Sequence, residues 1–204
     1  YNPRRMNFGA LRVLTDARVE AGKGFGINPH KNMEIISIPL KGKLKHGDSN
    51  KNSRTITIGD IQTMSAGTGI YHSEMNGSDT EPVEFLQIWV MPEKLNTPPA
   101  YQDYDIRPFL RKNELALIVS PDGDAPAKML QQTWFSIGEI EAGKKIGYHM
   151  HQSHAGVYIF VIEGEVKVDD TVLSRRDGMG VYDTHSFELE TLKDSHFLLM
   201  EVPM

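Results

Sequence analysis

The sequence predicts an all-β protein made of two small β-barrels in tandem. Short apolar runs recur at regular spacing between glycine-rich turns, and little of the chain shows helical periodicity. The two halves also repeat one pattern, because Tyr148-His149-Met150-His151 resembles Asn28-Pro29-His30. We therefore expect one domain over residues 1–112 and a second domain over residues 113–204.

Composition and charge narrow the possible functions. The net charge is −5 at pH 7, whereas a nucleic-acid surface usually has a basic excess, so we expect no direct nucleic-acid binding. No apolar run approaches the roughly 20 residues of a membrane-spanning helix, and we expect no membrane association. Without cysteine the chain has neither disulfides nor thiolate ligands, which is typical of a cytoplasmic protein. Because the sequence opens at Tyr1 rather than Met, we also expect N-terminal residues to be missing.

The first stretch of chemical interest is a predicted strand over residues 28–44. Its even positions begin with Asn28, His30 and Glu34 and continue with aliphatic residues, whereas its odd positions include lysines and a serine. A barrel strand has this pattern when one end of its inner face lines a site and the other end fills the core. Further on, residues 96–111 are rich in proline and are predicted to form an irregular linker with one helical turn.

Another strand is predicted after a bend formed by Gly67 and Gly69. Side chains alternate along a strand, so His72 and Glu74 lie on the same face. Together with His30 they form a set of two imidazoles and one carboxylate, which binds divalent transition metals and leaves positions open for substrate or O₂. From spacing alone, an interpretation as surface polar residues near turns is equally good.

Around these positions the sequence resembles the pirin family. The resemblance lies in residues 25–34 (FGINPHKNME), residues 46–49 (HGDS) and residues 64–74 (MSAGTGIYHSE). It covers most of the first half of the chain, and the last of these strings is not general cupin sequence. The resemblance implies a bicupin fold, with two jelly-roll barrels and one metal in the first barrel.

The resemblance also implies a ligand set. The family's metal ligands map to Asn28, His30, His72 and Glu74, and Asn28 departs from the family, which has histidine there. An amide oxygen is a poorer donor to a transition metal than an imidazole, so we expect weaker metal binding. The expected cofactor is one divalent transition metal, Fe(II) first, with nickel, copper, manganese and zinc as alternatives.

Two functions follow from the resemblance. In the first, the chain is an O₂-dependent quercetin 2,3-dioxygenase whose metal is held by His30, His72 and Glu74. In this function Glu74 also accepts a proton from a flavonol-like aromatic substrate. In the second, the weakened site at Asn28 belongs to a non-catalytic regulatory or redox- and metal-sensing protein that acts through a protein partner.

Further candidate residues lie near the ligands and in the second half of the chain. We expect Glu34 to orient a ligand histidine, and Met33 and Met64 to line the pocket unless they only pack. Four side chains of the second half repeat the spacing of the first site: His149, His151, Asp183 and His185. They predict a second metal site, and a polar barrel mouth with incidental histidines is the competing interpretation.

Overall fold

The structure is a computed structural model that describes residues 7–51 and 53–204. The strands are β1 (Leu11–Val19), β2 (Gly24–His30), β3 (Glu34–Lys41), β4 (Lys43–Asp48), β5 (Ser53–Thr57), β6 (Asp60–Ser65), β7 (Ile70–Asn76), β8 (Val83–Val90), β9 (Ala100–Asp105), β10 (Leu115–Ser120), β11 (Ala127–Lys128), β12 (Trp134–Ile140), β13 (Lys145–His149), β14 (Ala155–Glu163), β15 (Val166–Val168), β16 (Thr171–Leu173), β17 (Gly178–Tyr182), β18 (Ser186–Thr191) and β19 (Ser195–Pro203). The only helical element among the described residues is a 3₁₀ turn at Arg107–Phe109. None of these residues therefore belongs to a helix long and apolar enough to span a membrane.

The described residues form two compact units. The first comprises Leu11–Arg107 together with Ala127–Gln131, and the second comprises Phe8–Ala10, Pro108–Pro126 and Gln132–Met204. The division of the chain into two domains stays a prediction, since compactness does not measure whether a unit folds alone.

Each unit consists of two facing antiparallel sheets. In the first unit the strand orders are β1-β8-β3-β6-β9 and β2-β7-β4-β5. In the second unit the orders β12-β19-β14-β17 and β13-β18-β15-β16 repeat this arrangement, with β10 beside β12. Apolar side chains of the facing sheets fill each interior, among them Phe85 in the first unit and Phe197 in the second. The prediction of an all-β chain with two jelly-roll barrels is confirmed.

The prediction of one strand over residues 28–44 is wrong. The stretch contains the end of β2, all of β3 and the start of β4, and β2 and β3 belong to different sheets. Asn32 has a φ of +49°, and this left-handed residue lies where the chain passes from one sheet to the other. Gly42, with a φ of +80°, lies between β3 and β4. This position requires glycine, because a Cβ there would collide with the carbonyl group of Pro82.

The predicted irregular linker at residues 96–111 contains more order than expected. Strand β9 pairs with β6, so much of this stretch belongs to a sheet. The predicted helical turn is the 3₁₀ turn, where the Arg107 guanidinium donates hydrogen bonds to Asp60 and Asp105 at 2.9 and 3.0 Å.

Glu34, at the start of β3, has a structural role. Its side chain is 3% exposed, and its two oxygens accept hydrogen bonds from the backbone N–H groups of Leu130 and Gln131, both at 2.8 Å. Burial raises the pKa of this carboxyl, and the two hydrogen bonds act in the opposite direction. Glu34 therefore holds Ala127–Gln131 within the first unit and does not orient a ligand histidine, contrary to the prediction from sequence.

We expect Glu34→Ala to lower the free energy of unfolding by about 2–3 kcal/mol, because it leaves the buried N–H of Gln131 and the partly buried N–H of Leu130 without their acceptor. Urea unfolding of the metal-free protein measures the change. Glu20→Ala is the control, since Glu20 is exposed and its removal should change stability by less than about 0.5 kcal/mol. Equal stabilities of the two variants would contradict the role given to Glu34.

Candidate metal centre

The inner face of β7 carries the centre of the candidate site. His72 and Glu74 are each 4% exposed, whereas Tyr71 and Met75 on the opposite face are 57% and 43% exposed. The alternation predicted from the sequence therefore holds, and both functional side chains point into the barrel.

A glycine turn sets the start of β7. Gly67 has a φ of +49°, and a Cβ at this position would collide with the carbonyl group of Thr97. The N–H of Thr68 donates a hydrogen bond to the same carbonyl oxygen at 2.9 Å. The turn therefore needs glycine, and it fixes the chain just before His72.

The strands on either side of β7 bring two rows of polar residues across it. One row joins Asn28 on β2, His72 on β7 and Asp48 on β4. In the next row, Glu74 on β7 is opposite His46 on β4. Directly opposed residues have Cβ atoms only about 4.5–5.5 Å apart, so the ladder places both acidic side chains beside histidines.

The two ring nitrogens of His72 face different neighbours. Its Nε2 lies 2.7 Å from Nε2 of His30, and its Nδ1 lies 3.7 Å from Oε1 of Glu74. The ring of His30 also packs edge-on against Trp89, with ring centroids 5.1 Å apart. The structure thus brings together the three side chains that the sequence nominated as main ligands.

His46 completes a group that can hold a metal ion. The ligand atoms of His46, His72 and Glu74 lie within 4.8 Å of one another, and all three side chains are buried. Nδ1 of His46, Nδ1 of His72 and Oε2 of Glu74 have no hydrogen-bond partner among the described residues. Buried polar atoms are rarely unpartnered, and two imidazole nitrogens with a carboxylate oxygen suit a divalent transition metal. The residues present therefore fit such an ion.

Burial controls the charge of these side chains. Desolvation lowers the pKa of His72 to about 4, with a smaller contribution from the neighbouring His30, and it also lowers the pKa of His30 itself. Desolvation raises the pKa of Glu74 to about 7, against hydrogen bonds from Ser37 and Gln87. At neutral pH both rings are neutral and able to bind a metal, and the carboxyl loses its proton near the same pH.

A cavity of about 560 Å³ opens onto the site. Asn28, His30, His72 and Glu74 contribute to its polar wall. Apolar and aromatic residues form another part of the wall: Ala17, Phe25, Pro29, Met33, Phe85 and Trp89. Thr15, Lys31 and Gln87 also line the cavity. A cavity of this size, with both aromatic and polar side chains on its wall, suits a small aromatic ligand that carries polar groups.

The two methionines expected in the pocket differ in position. Met33 lines the cavity, as the sequence predicted. Met64 is 3% exposed and packs with Ile35, Ala66 and Ile70 in the core of the first unit. Met64 therefore serves packing, which was the alternative left open for it.

The structure does not bring together the four residues predicted for a second metal site. On β13 the buried side chain is Tyr148, and His149 is exposed. Nδ1 of His151 lies 3.0 Å from Oε1 of the buried Glu201, and Asp183 and His185 are exposed in the turn before β18. Within residues 7–51 and 53–204, only the group in the first unit has three ligand atoms mutually within 4.8 Å.

His46 is a buried candidate ligand that was not among the ligands predicted from the sequence. Along β4, exposed Lys43 and Lys45 alternate with buried Leu44 and His46. The alternating lysines could therefore have predicted that His46 is buried, because the residues between solvent-facing lysines of a strand face the interior. Which side chains His46 meets there depends on the pairing of β4 with β7, and no local pattern contains that pairing.

The fold and the site together define a bicupin with a candidate metal centre in its first barrel. Residues 1–90 match the family model described as Pirin, and residues 117–202 match the one described as Quercetinase C-terminal cupin domain. The chain belongs to the pirin family.

Relatives resemble the chain along its whole length. Quercetin 2,3-dioxygenase of Escherichia coli strain K12 is 36% identical over 208 aligned residues, which cover 100% of this chain and 87% of that protein. The crystal structure of YhhW from E. coli has a TM-score of 0.93 at 36% identity and covers 100% of this chain and 86% of that one. The crystal structure of the bacterial pirin YhhW in complex with nickel(II) has a TM-score of 0.92 at 34% identity, with the same coverage.

We expect the affinity of the site for a divalent metal to rise by about tenfold or more between pH 6 and pH 8. Because the pKa of Glu74 is raised to about 7, its carboxyl is mostly protonated at pH 6 and must lose that proton to bind a metal. Calorimetric titration with nickel(II) in buffers of different ionisation enthalpy measures both the affinity and the protons released.

Glu74→Gln is the matched control for this pH dependence. It removes the titrating carboxyl, so its affinity should be lower and should change less with pH. Equal affinity of the wild-type protein at pH 6 and pH 8 would contradict the role assigned to Glu74.

Proposed function

We propose that the chain is a metal-dependent dioxygenase of the quercetin 2,3-dioxygenase type, which opens a ring of a flavonol-like substrate with O₂. His72 and Glu74 hold the metal, and either His30 or His46 supplies a further imidazole. Fe(II) stays the first choice of metal, and nickel is the strongest alternative because the similar pirin YhhW is described with nickel(II). A cytoplasmic location stays a prediction from the lack of cysteine.

The observation that carries this proposal is a set of unpartnered ligand atoms beside an aromatic cavity. His72 and Glu74 have buried ligand atoms without partners, and both residues also line the cavity of about 560 Å³. A bound metal would supply Lewis-acid and redox chemistry to a substrate and O₂. The name of the E. coli relative points to a flavonol as the substrate class.

The protein's own side chains would bind the substrate and accept its proton. Glu74 is suited to receive the hydroxyl proton of a flavonol, because a general base works best when its pKa lies near the working pH. Phe25 and Trp89 on the cavity wall can pack against the flat aromatic rings. Asn28 lines the same cavity and can form hydrogen bonds with substrate hydroxyl groups.

One observation favours a second candidate function, a non-catalytic metal-sensing regulator. Asn28 lies opposite His72 in the ladder, where the family pattern has a ligand histidine. A weaker site suits reversible metal binding better than turnover. Asn28→His separates the two functions. A rise in both metal occupancy and dioxygenase rate would favour the regulator, and no change in either would remove the reason for it.

We expect the iron- or nickel-loaded protein to consume quercetin, seen as loss of flavonol absorbance together with O₂ uptake. Glu74→Gln, compared with the wild type at equal metal occupancy, should lower kcat by about 10²–10⁴-fold, because it removes the proton acceptor. Quenching of tryptophan fluorescence measures whether quercetin still binds to the variant. Wild-type activity no greater than that of the free metal would reject the dioxygenase proposal.

A further inference from the structure

A row of polar side chains crosses the sheet that faces β7. Thr15 on β1 and Ser37 on β3 are the cross-strand partners of Gln87 on β8, so the three side chains lie on one face of that sheet. Two positions to either side of Gln87 on the same strand lie Phe85 and Trp89, both aromatic. A polar row between such residues costs stability unless its groups are hydrogen-bonded, so its partners are informative.

The partners of Gln87 belong to the candidate site. We propose that Gln87 is a positioning residue, whose amide bridges the indole of Trp89 on the cavity wall and the carboxylate of Glu74. The inference rests on the proposed function, since it names the residue that orients the metal ligand and proton acceptor of that reaction. Gln87 acts through its two partners and needs no contact with the metal.

The orientation of the amide is fixed at the Trp89 end. Nε1 of Trp89 donates a hydrogen bond to Oε1 of Gln87 at 3.2 Å. An indole N–H can only donate, so the amide oxygen faces Trp89 and Nε2 of Gln87 is left as a donor for another group. Both side chains line the cavity, so this end of the bridge lies where a substrate ring would pack.

Glu74 is the acceptor at the other end. Its carboxyl accepts hydrogen bonds from the side chains of Ser37 and Gln87, and Oγ of Ser37 lies 3.5 Å from Oε1. Oε2 has no hydrogen-bond partner among the described residues. The donors of the facing sheet therefore orient the carboxylate and leave Oε2 available for a metal or for the proton of a substrate.

The two partners of Gln87 have opposite requirements. Trp89 needs an acceptor and the ionised Glu74 needs a donor, and an amide offers both in one side chain. Glutamate at position 87 would keep the acceptor and place a second carboxylate beside Glu74, and methionine would offer neither strong group. A ring that packs on Trp89 is thereby linked to the orientation of Glu74.

Nickel(II) affinity, measured without substrate by competition with a chelator, tests the bridge. Gln87→Met should lower the affinity by about 10–100-fold, because the carboxylate of Glu74 loses its orienting donor. Trp89→Phe keeps an aromatic ring on the wall, removes the N–H and should cause a smaller loss. Gln102→Met is the control, since Gln102 is an exposed amide on β9 and its removal should change the affinity by less than about twofold.

The double variant Gln87→Met/Trp89→Phe separates a bridge from two independent contacts. In a bridge the indole N–H acts only through Gln87, so the double variant should bind nickel within about twofold of Gln87→Met. Trp89 also packs against His30, and a loss transmitted through that contact would multiply with the loss in Gln87→Met. Multiplying losses, or an unchanged affinity in Gln87→Met, would overturn the proposal.

Gln87→Glu covers the case in which Gln87→Met fails to fold, because it keeps the shape of the side chain and the acceptor for Trp89. We expect the indole N–H resonance of Trp89 in ¹H–¹⁵N spectra to stay near its wild-type position in Gln87→Glu, while the nickel affinity falls by about 10–100-fold. This pattern locates the loss at the Glu74 end. Wild-type nickel affinity in Gln87→Glu would sink the proposal.

These readouts are independent of catalysis. Nickel affinity that depends on Gln87, in a protein that does not consume quercetin, would reject the dioxygenase and leave the bridge standing. Quercetin turnover by the wild type, with nickel affinity and kcat unchanged in Gln87→Met, would do the reverse.

Discussion

The candidate site depends on the position of β7 between β2 and β4 in one sheet. The pairing on one side brings Asn28 opposite His72, and the pairing on the other brings Asp48 opposite His72 and His46 opposite Glu74. A slip of one residue in either ladder would turn one row toward solvent. The glycine turn before β7 and the buried apolar residues of the same strands therefore serve the site by fixing this register.

The burial of Glu74 and His72 in this sheet lowers the stability of the metal-free protein at some pH values. Burial raises the pKa of Glu74 from 4.5 to about 7, so the folded state loses stability as the pH rises from 4.5 to 7 and this carboxyl ionises. Burial lowers the pKa of His72 from 6.5 to about 4, so the folded state loses stability as the pH falls from 6.5 to 4. A metal ion bound at the proposed site would offset the cost of the buried carboxylate. Its binding would then be coupled to stability near neutral pH through Glu74 and His72.

Local patterns in the sequence correctly predicted the features that depend on neighbouring residues of one strand. The alternation around His72 and Glu74 and the repeat of the two halves both hold in the observed strands. The predictions failed where a residue's neighbour comes from far along the chain. Glu34 meets backbone N–H groups 96 and 97 residues away, and His46 meets Glu74 only through strand pairing. A left-handed residue at Asn32 also divided one predicted strand between two sheets.

The second barrel shows that the fold alone does not produce a metal site. It repeats the sheet order of the first barrel, yet β13 and β18 direct Tyr148 and Leu189 into its core. Its buried carboxylate, Glu201, is partnered by the hydroxyl of Tyr148 at 2.8 Å and Nδ1 of His151 at 3.0 Å. In the first barrel the corresponding sheet instead leaves two imidazole nitrogens and a carboxylate oxygen buried without partners. Because the second barrel satisfies its buried carboxylate within the same architecture, packing in this fold does not by itself require the unsatisfied atoms of the first barrel, and these atoms support the proposed metal site.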